Sequence, residues 1–118
     1  MNIHPYIFAG LESAQILKPS ELLSKAAKII CQSRGITEQE LMSTIRTQSI
    51  VMCRHEFIYL ARTKTDFSLN FIGKVLLNNK NHATILHSAR TFKNLLETDA
   101  NVRAHHMRNM AQLNFVTI

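Results

Sequence analysis

The feature that most constrains this chain is an amphipathic helical pattern behind a strong capping residue in its second half. The apolar stripe, whose members recur at spacings of four and three residues, consists of Ile85, Ala89, Phe92 and Leu96. Asn81 stands just before this pattern, and asparagine is among the most favourable helix N-cap residues. We therefore predict a helix over residues 82–98 that is anchored by the stripe and begins at the surface.

A shorter helix is predicted immediately before it. Ser68 is a suitable N-cap for residues 69–77, in which the apolar positions expected to face inward are Phe71, Ile72, Val75 and Leu76. Asn78 and Asn79 form a tight connector, because asparagine tolerates the left-handed conformation better than most residues. Two helices joined in this way predict a helix-turn-helix, in which the second helix presents its N-terminus to the DNA major groove.

The remainder of the chain also indicates helices. We predict a helix over 21–33 capped by Ser20 and ended by Gly35, and a capping box between Thr37 and Glu40. A helix over about 51–64 and a last helix over about 100–113 follow, the latter resting on Val102, Met107, Met110 and Leu113. With three Gly, two Pro and little β-type alternation, the expected fold class is all-α, a compact bundle of five or six helices.

The length of 118 residues fits a single domain, 1–118. We divide it into an apolar N-terminal arm (1–19), a helical domain (20–98) with its helix-turn-helix at 69–98, and a C-terminal segment (99–118). No run of about 18 apolar residues and no signal-peptide pattern is present, so we expect a cytoplasmic protein without membrane spans. Cys31 and Cys53 lack CxxC spacing and are expected to be reduced, buried thiols.

Several functional classes are disfavoured by the motifs. The three glycines are too scattered for a phosphate-binding loop, so no nucleotide is expected. His82 and His87 lack the spacing of two zinc ligands on one helix. We predict that His105 and His106 are surface residues near a helix end. Ser88 has no partners for a catalytic triad. We therefore expect no enzyme activity, no metal and no cofactor.

The charge is unevenly distributed. Residues 1–41 contain four Lys/Arg and four Asp/Glu, whereas residues 42–118 contain ten and four, so the second part carries the whole net charge of +6. A basic surface attracts polyanions and is typical of nucleic-acid-binding proteins. A solvated surface with surplus Lys and Arg would give the same count, so charge alone leaves both interpretations open.

The residues of the predicted helix-turn-helix match a known pattern. The matching segments are Ser49-Ile50-Val51, Arg54, Leu60-Ala61-Arg62, Thr65-Asp66-Phe67-Ser68-Leu69, Ile72-Gly73 and the run from Lys80 to Arg90. Over about 29–96 this resembles the C-terminal DNA-binding domain of the bacterial replication initiator DnaA, whose signature is close to Gly-Gly-Arg/Lys-Asp-His-Thr-Thr-Val-Leu-His-Ala. The resemblance implies a Trp-repressor-like helix-turn-helix that binds double-stranded DNA, acting in replication or its regulation as a freestanding domain without the ATPase.

The resemblance also implies which residues contact DNA. The segment that reads bases in the family falls on Asn81, His82, Ala83 and Thr84. Helical spacing alone predicts an exposed arc near the start of the same helix that also includes His87 and Ser88. Lys80 suits a phosphate, Leu69 and Asn70 lie where the first helix meets the backbone, and Arg46 and Arg54 belong to the basic loop segment.

The sequence departs from the family pattern at the contact positions themselves. Asn81 replaces an acid, Ala83 replaces a threonine, and Met52-Cys53 replaces Arg-Pro. Asn78-Asn79 replaces a glycine pair, and the connector from Gly73 to His82 is one residue longer. These changes predict either weaker binding to the DNA box that the initiator family usually recognises or a preference for another site, with less effect on generic DNA affinity.

A second hypothesis is a protein-interaction module built on a repurposed helix-turn-helix, with weak or non-specific DNA affinity. Its contact surface would be the apolar N-terminal arm and the Met-rich last helix, where a second copy of the chain or another protein would bind.

Overall fold

The helices are those of an all-α domain, as predicted. The computed structural model describes residues 15–16, 18–113 and 115–116, with side chains from 18 to 113. Its elements are α1 (Pro19–Arg34), α2 (Glu38–Met42), α3 (Gln48–Lys64), α4 (Leu69–Phe71) with a π-helical continuation (Ile72–Leu76), α5 (His82–Thr98) and α6 (Ala100–Leu113). Two-residue strands, β1 (Gln15–Ile16) and β2 (Phe115–Val116), pair in parallel. Most of the predicted N-terminal arm lies outside the described residues.

The core is assembled around α3. This helix contacts α1, α2 and α5, while α6 packs on α1 and α5. Ile58 and Leu60 of α3 and Ile30 of α1 are at most 1% exposed. The apolar stripe of α5 faces this core as predicted, with Ile85, Ala89 and Phe92 buried and Leu96 half-buried. Burial of the stripe fixes which side of α5 remains in solvent.

Side-chain caps set several of the helix boundaries. Thr37 and Glu40 form the predicted reciprocal capping box, with distances of 3.0 and 2.9 Å. Gly35 ends α1 with a φ of 69°, in the left-handed conformation expected of it. The prediction that Ser20 caps α1 is wrong: the helix begins at Pro19, because proline at the first helical position has no N–H to leave unpaired.

Helix α3 begins earlier than predicted, at Gln48 rather than near Val51. Gln48 and Ser49 are exposed, and Ile50 rather than Val51 is the first buried residue of the helix. Exposed polar residues in the first turn of a helix are not part of its apolar pattern. A prediction from that pattern alone therefore starts α3 too late in the sequence.

The first helix of the helix-turn-helix is not a regular α-helix over 69–77. After one α-helical turn it widens into a π-helix, in which Ile72 and Gly73 are buried. Leu77, which follows the π-helix five positions after Ile72, is also fully buried. The predicted inward positions Phe71 and Val75 are instead 37% and 63% exposed. A π turn spans one residue more than an α turn, so it shifts the inward register and accommodates a longer connector.

Helix α6 presents a partly polar face to the core. Val102 and Leu113 are buried as predicted, but Met107 is 64% exposed and Asn109 is 1% exposed. Asn109 and His106 meet the buried carboxylate of Glu56 on α3, with His106 Nδ1 2.7 Å from Glu56 Oε2. The prediction that His106 is a surface residue is therefore wrong, because this partner on another helix draws it inward.

Candidate nucleic-acid interface

The two helices of the helix-turn-helix meet at Gly73. The Lys80 N–H donates to the Gly73 carbonyl at 2.8 Å, and the Asn79 N–H donates to the Lys74 carbonyl at 3.3 Å. Asn78 and Asn79 have φ values of 56° and 71°, the left-handed conformation predicted for this connector. A Cβ on Gly73 would lie 2.0 Å from the Lys80 carbonyl oxygen, so only glycine permits this approach. The contact fixes the start of α5 against the preceding helix.

The N-terminus of α5 is capped and open to solvent. Asn81 Oδ1 accepts the Thr84 N–H at 3.0 Å, which confirms the predicted cap. The side chains of His82, Ala83 and Thr84 are exposed, and Ile85 directly behind them is fully buried. These side chains therefore form a solvent-facing group on a rigidly anchored turn.

The exposed arc of α5 continues one turn along the helix. His87 is exposed, and its Nε2 lies 3.5 Å from Thr91 Oγ1 on the same helix. Ser88, which we expected on this arc, is 5% exposed and faces the core. Serine is small enough to lie at a helix–helix contact, so its polar hydroxyl does not by itself predict that the side chain faces solvent.

Arg54 differs from its predicted place. It is only 8% exposed, and its guanidinium donates to backbone carbonyls: Nε to Leu41 at 2.9 Å, and Nη2 to Glu40, Ser43 and Ile45 at 3.3, 2.8 and 3.2 Å. Arginine's fixed fork of donors suits such a cluster of acceptors. Arg54 is thus turned into the protein rather than toward solvent. Arg46, in the loop before α3, is exposed as predicted.

Lys80 lies between the loop and α5. Its backbone joins the contact with Gly73, while its Nζ donates to the Ser43 carbonyl at 3.4 Å. Burial and, to a smaller extent, the charge of Arg54 lower the pKa of Lys80. Lys80 is therefore half-buried and engaged with the loop in the free protein.

Positive groups are concentrated where the loop meets α5. Burial and then the charge of Arg46 lower the pKa of Arg54. Burial is the largest cause that lowers the pKa of His55 below its usual value. The charges of His87, Arg54 and Arg46 lower it further, in that order. The Nδ1 of His55 is buried and has no hydrogen-bond partner among the described residues. Like charges gathered on one face produce a positive potential that an approaching polyanion would relieve.

The start of α4 is capped and partly open to solvent. Ser68 Oγ accepts the Phe71 N–H at 3.0 Å, as the sequence predicted. Asn70 is exposed and Leu69 is half-buried. Both stand at the N-terminal end of the first helix of the motif, where helices of this kind approach the phosphate backbone.

Other kinds of site find little support in the described part of the chain. Within residues 15–16, 18–113 and 115–116, no group of three His, Cys, Asp or Glu side chains is arranged to hold a metal ion. Cys31 and Cys53 are buried, and burial raises the pKa of their thiols to about 11 and about 12. The thiolate is the reactive form of cysteine, so neither is suited to nucleophilic chemistry. None of the described helices has the length and hydropathy needed to span a bilayer.

Comparison with known proteins agrees with the architecture. The family model for the bacterial DnaA protein helix-turn-helix matches residues 23–91. The chromosomal replication initiator protein DnaA of Streptococcus agalactiae is 44% identical over 69 residues, or 58% of this chain and 15% of that protein. The protein of the same name from Bacteroides thetaiotaomicron is 36% identical over 77 residues, or 65% of this chain and 16% of that protein.

The match includes the whole helix-turn-helix connector and α5 as far as Thr91. The chain spans about 15% of the length of the curated relatives it matches, so their other activities do not transfer to it. Within the matched segment the predicted resemblance is confirmed. The chain belongs to the bacterial DnaA helix-turn-helix family, a family of DNA-binding rather than catalytic domains.

Proposed function

We propose that this protein binds double-stranded DNA with a sequence preference, by placing the N-terminus of α5 in the major groove. The observation that carries the proposal is the exposed group His82, Ala83 and Thr84, held on a turn anchored by Ile85 and by the contact between Gly73 and Lys80. Imidazole and hydroxyl groups can hydrogen-bond base edges, and the alanine methyl suits a thymine methyl. His87 extends the same arc.

The basic loop supplies the sequence-independent part of binding in this proposal. Arg46 is exposed in the loop whose Ser43 carbonyl accepts Lys80 Nζ, and it would reach phosphates or the neighbouring minor groove. Asn70 and the first turn of α4 would contact the backbone on the other side. Arg54 is reassigned: because its side chain is buried and its Nε and Nη2 donate to backbone carbonyls, it holds the loop rather than a phosphate.

The preferred DNA sequence is expected to differ from the initiator box, the short duplex site that the replication initiator usually recognises. Ala83 has no hydrogen-bonding group, and Asn81 uses its side-chain oxygen to cap α5. A good bidentate base contact discriminates by about 1–3 kcal/mol, so changes at these two positions redirect the preference. Phosphate contacts are less affected, and binding should need no nucleotide. We place the biological role in DNA replication or its regulation, by kinship with the initiator.

Variants of α5 and the loop test this assignment. A preferred duplex is first selected from a pool of initiator boxes with randomised bases, and affinities are then measured by fluorescence anisotropy against a scrambled duplex. Replacing both His82 and Thr84 by Ala should reduce the ratio of the two affinities by about tenfold or more, since base contacts are lost. Arg46→Ala should weaken both duplexes similarly and lower the salt slope by about 0.9.

Asn81→Asp tests the capping position of α5 separately. Aspartate caps a helix as well as asparagine does, so the free energy of unfolding should remain within about 0.5 kcal/mol of the wild-type value. Its effect on discrimination then reports on DNA contact alone. An unchanged affinity ratio in the His82→Ala, Thr84→Ala double variant would show that α5 does not read the bases.

Exposed apolar side chains are the observation that favours the second hypothesis, a protein-interaction module. Phe71, Val75 and Met107 are 37%, 63% and 64% exposed. A protein partner, or a second copy of the chain, would find apolar surface there. If this were the main function, Val75→Ser would abolish partner binding and leave DNA affinity unaltered.

A further inference from the structure

The loop before α3 is held from below by a buried arginine. The carbonyls of Glu40 and Leu41 end α2, and the last carbonyls of a helix have no partners within it. Arg54 donates to both of them and then to the Ser43 and Ile45 carbonyls, all within 3.3 Å. One guanidinium thus fixes the path of the backbone from the end of α2 to the residue before Arg46.

The same loop is held from the other side by the helix-turn-helix. The Ser43 carbonyl accepts Nη2 of Arg54 at 2.8 Å and lies 3.4 Å from Nζ of Lys80. Two cations therefore share one carbonyl oxygen, although they repel each other. A carbonyl has two lone pairs, so it can satisfy both donors.

Lys80 is placed so that this bond reaches α5. Its N–H is tied to the Gly73 carbonyl at 2.8 Å, and the next residue, Asn81, is the N-cap of α5. Ser43 is itself fixed, since its Oγ donates to the Glu40 carbonyl at 2.6 Å and accepts the Ile45 N–H at 3.2 Å. A continuous set of hydrogen bonds therefore runs from the residue before Arg46 to the first turn of α5.

We propose that Arg54 and Lys80 clamp the Ser43 carbonyl and so pre-position the Arg46 loop relative to the base-contacting turn of α5. Lys80 is on this view a positioning residue for DNA recognition, and the loop and α5 meet DNA as one preformed surface. Pre-organisation matters because ordering a loop on binding consumes part of the interaction free energy. The effect on affinity rests on the proposed function, but the clamp itself is a property of the free protein.

The first arm of the test needs no DNA. Amide hydrogen exchange of residues 43–47 is compared between wild type, Lys80→Met and Lys74→Met. Methionine keeps the aliphatic stem of lysine and removes the donor, and Lys74 is an exposed lysine on the preceding π turn. Exchange in the loop should accelerate about fivefold or more for Lys80→Met and stay at the wild-type rate for Lys74→Met. Equal rates in all three proteins would overturn the clamp, whatever the DNA experiments show.

The second arm is a double-mutant cycle in duplex affinity between Lys80→Met and Arg46→Ala. If the clamp positions Arg46, the combined loss should be at least about threefold smaller than the product of the single losses, within the range of coupling seen for residues of one network. Losses that simply multiply would identify Lys80 as an independent phosphate contact and overturn the positioning role. Lys80→Met alters a half-buried surface residue, so this variant should fold. Arg54→Lys is a second variant of the clamp, and it keeps the buried positive charge.

Discussion

Gly73→Ala is expected to lower the free energy of unfolding by about 3 kcal/mol, at the upper end of what overpacking usually costs. The added Cβ would lie 2.0 Å from the Lys80 carbonyl oxygen and 3.2 Å from Ile85 Cγ1. The nearer neighbour is backbone that a hydrogen bond already fixes, so it cannot turn away as a flexible side chain could. Because the contact orients α5, the variant should also lose duplex affinity. Urea denaturation monitored by circular dichroism gives the stability change.

Gly35→Ala is the matched control for this result. Gly35 has a left-handed φ of 69°, but a Cβ there would meet no atom of the described residues within 4 Å. Its cost should be only the left-handed conformation, about 1 kcal/mol. If the two variants lost equal stability, the close crossing of the helix-turn-helix would not be the constraint that Gly73 serves.

Glu56→Ala is expected to cost about 3 kcal/mol as well, for a different reason. The Glu56 carboxylate is 1% exposed and accepts Asn109 Nδ2 at 3.2 and 3.1 Å and pairs with His106 Nδ1 at 2.7 Å. Removing it leaves the buried Asn109 amide without its acceptor, and a buried donor left unpaired costs more than the bond it made. Chemical denaturation measures the change, and increased hydrogen exchange in α6 should accompany it.

Glu97→Ala, at an exposed position of α5, is the comparison for Glu56. It removes the same charge from the protein surface and should change stability by no more than about 0.5 kcal/mol. A loss below about 1 kcal/mol in Glu56→Ala would mean that the polar contact between α3 and α6 is not what holds α6 in place.

Local signals in the sequence were sufficient for the parts of the fold that depend on neighbouring residues. The N-caps at Thr37, Ser68 and Asn81 act on amides three residues away, so each could be predicted from a short segment. Helices α5 and α6 begin and end where their apolar spacing and caps predicted. The left-handed pair Asn78 and Asn79 belongs to the same class of local information.

What the sequence did not reveal depends on residues far apart in the chain. The sequence predicts that Arg54 is a surface residue that contacts DNA. In the fold its guanidinium instead donates to backbone carbonyls of residues 40–45. The sequence around His106 predicts a surface histidine, but in the fold it pairs with Glu56, which lies fifty residues earlier in the chain. The π turn after α4 reverses the expected orientation of Val75, because its inward spacing is five rather than three or four.

The most direct test of the central claim is the binding of the unmodified chain to DNA. Fluorescence anisotropy would compare the pool-selected duplex with a scrambled duplex of the same composition at roughly 50 and 200 mM salt. We predict that both affinities fall with salt while the selected duplex remains the tighter ligand, by about tenfold or more, under both conditions. Failure to bind either duplex at low salt, or equal affinity for the two, would contradict sequence-preferring recognition by the N-terminus of α5.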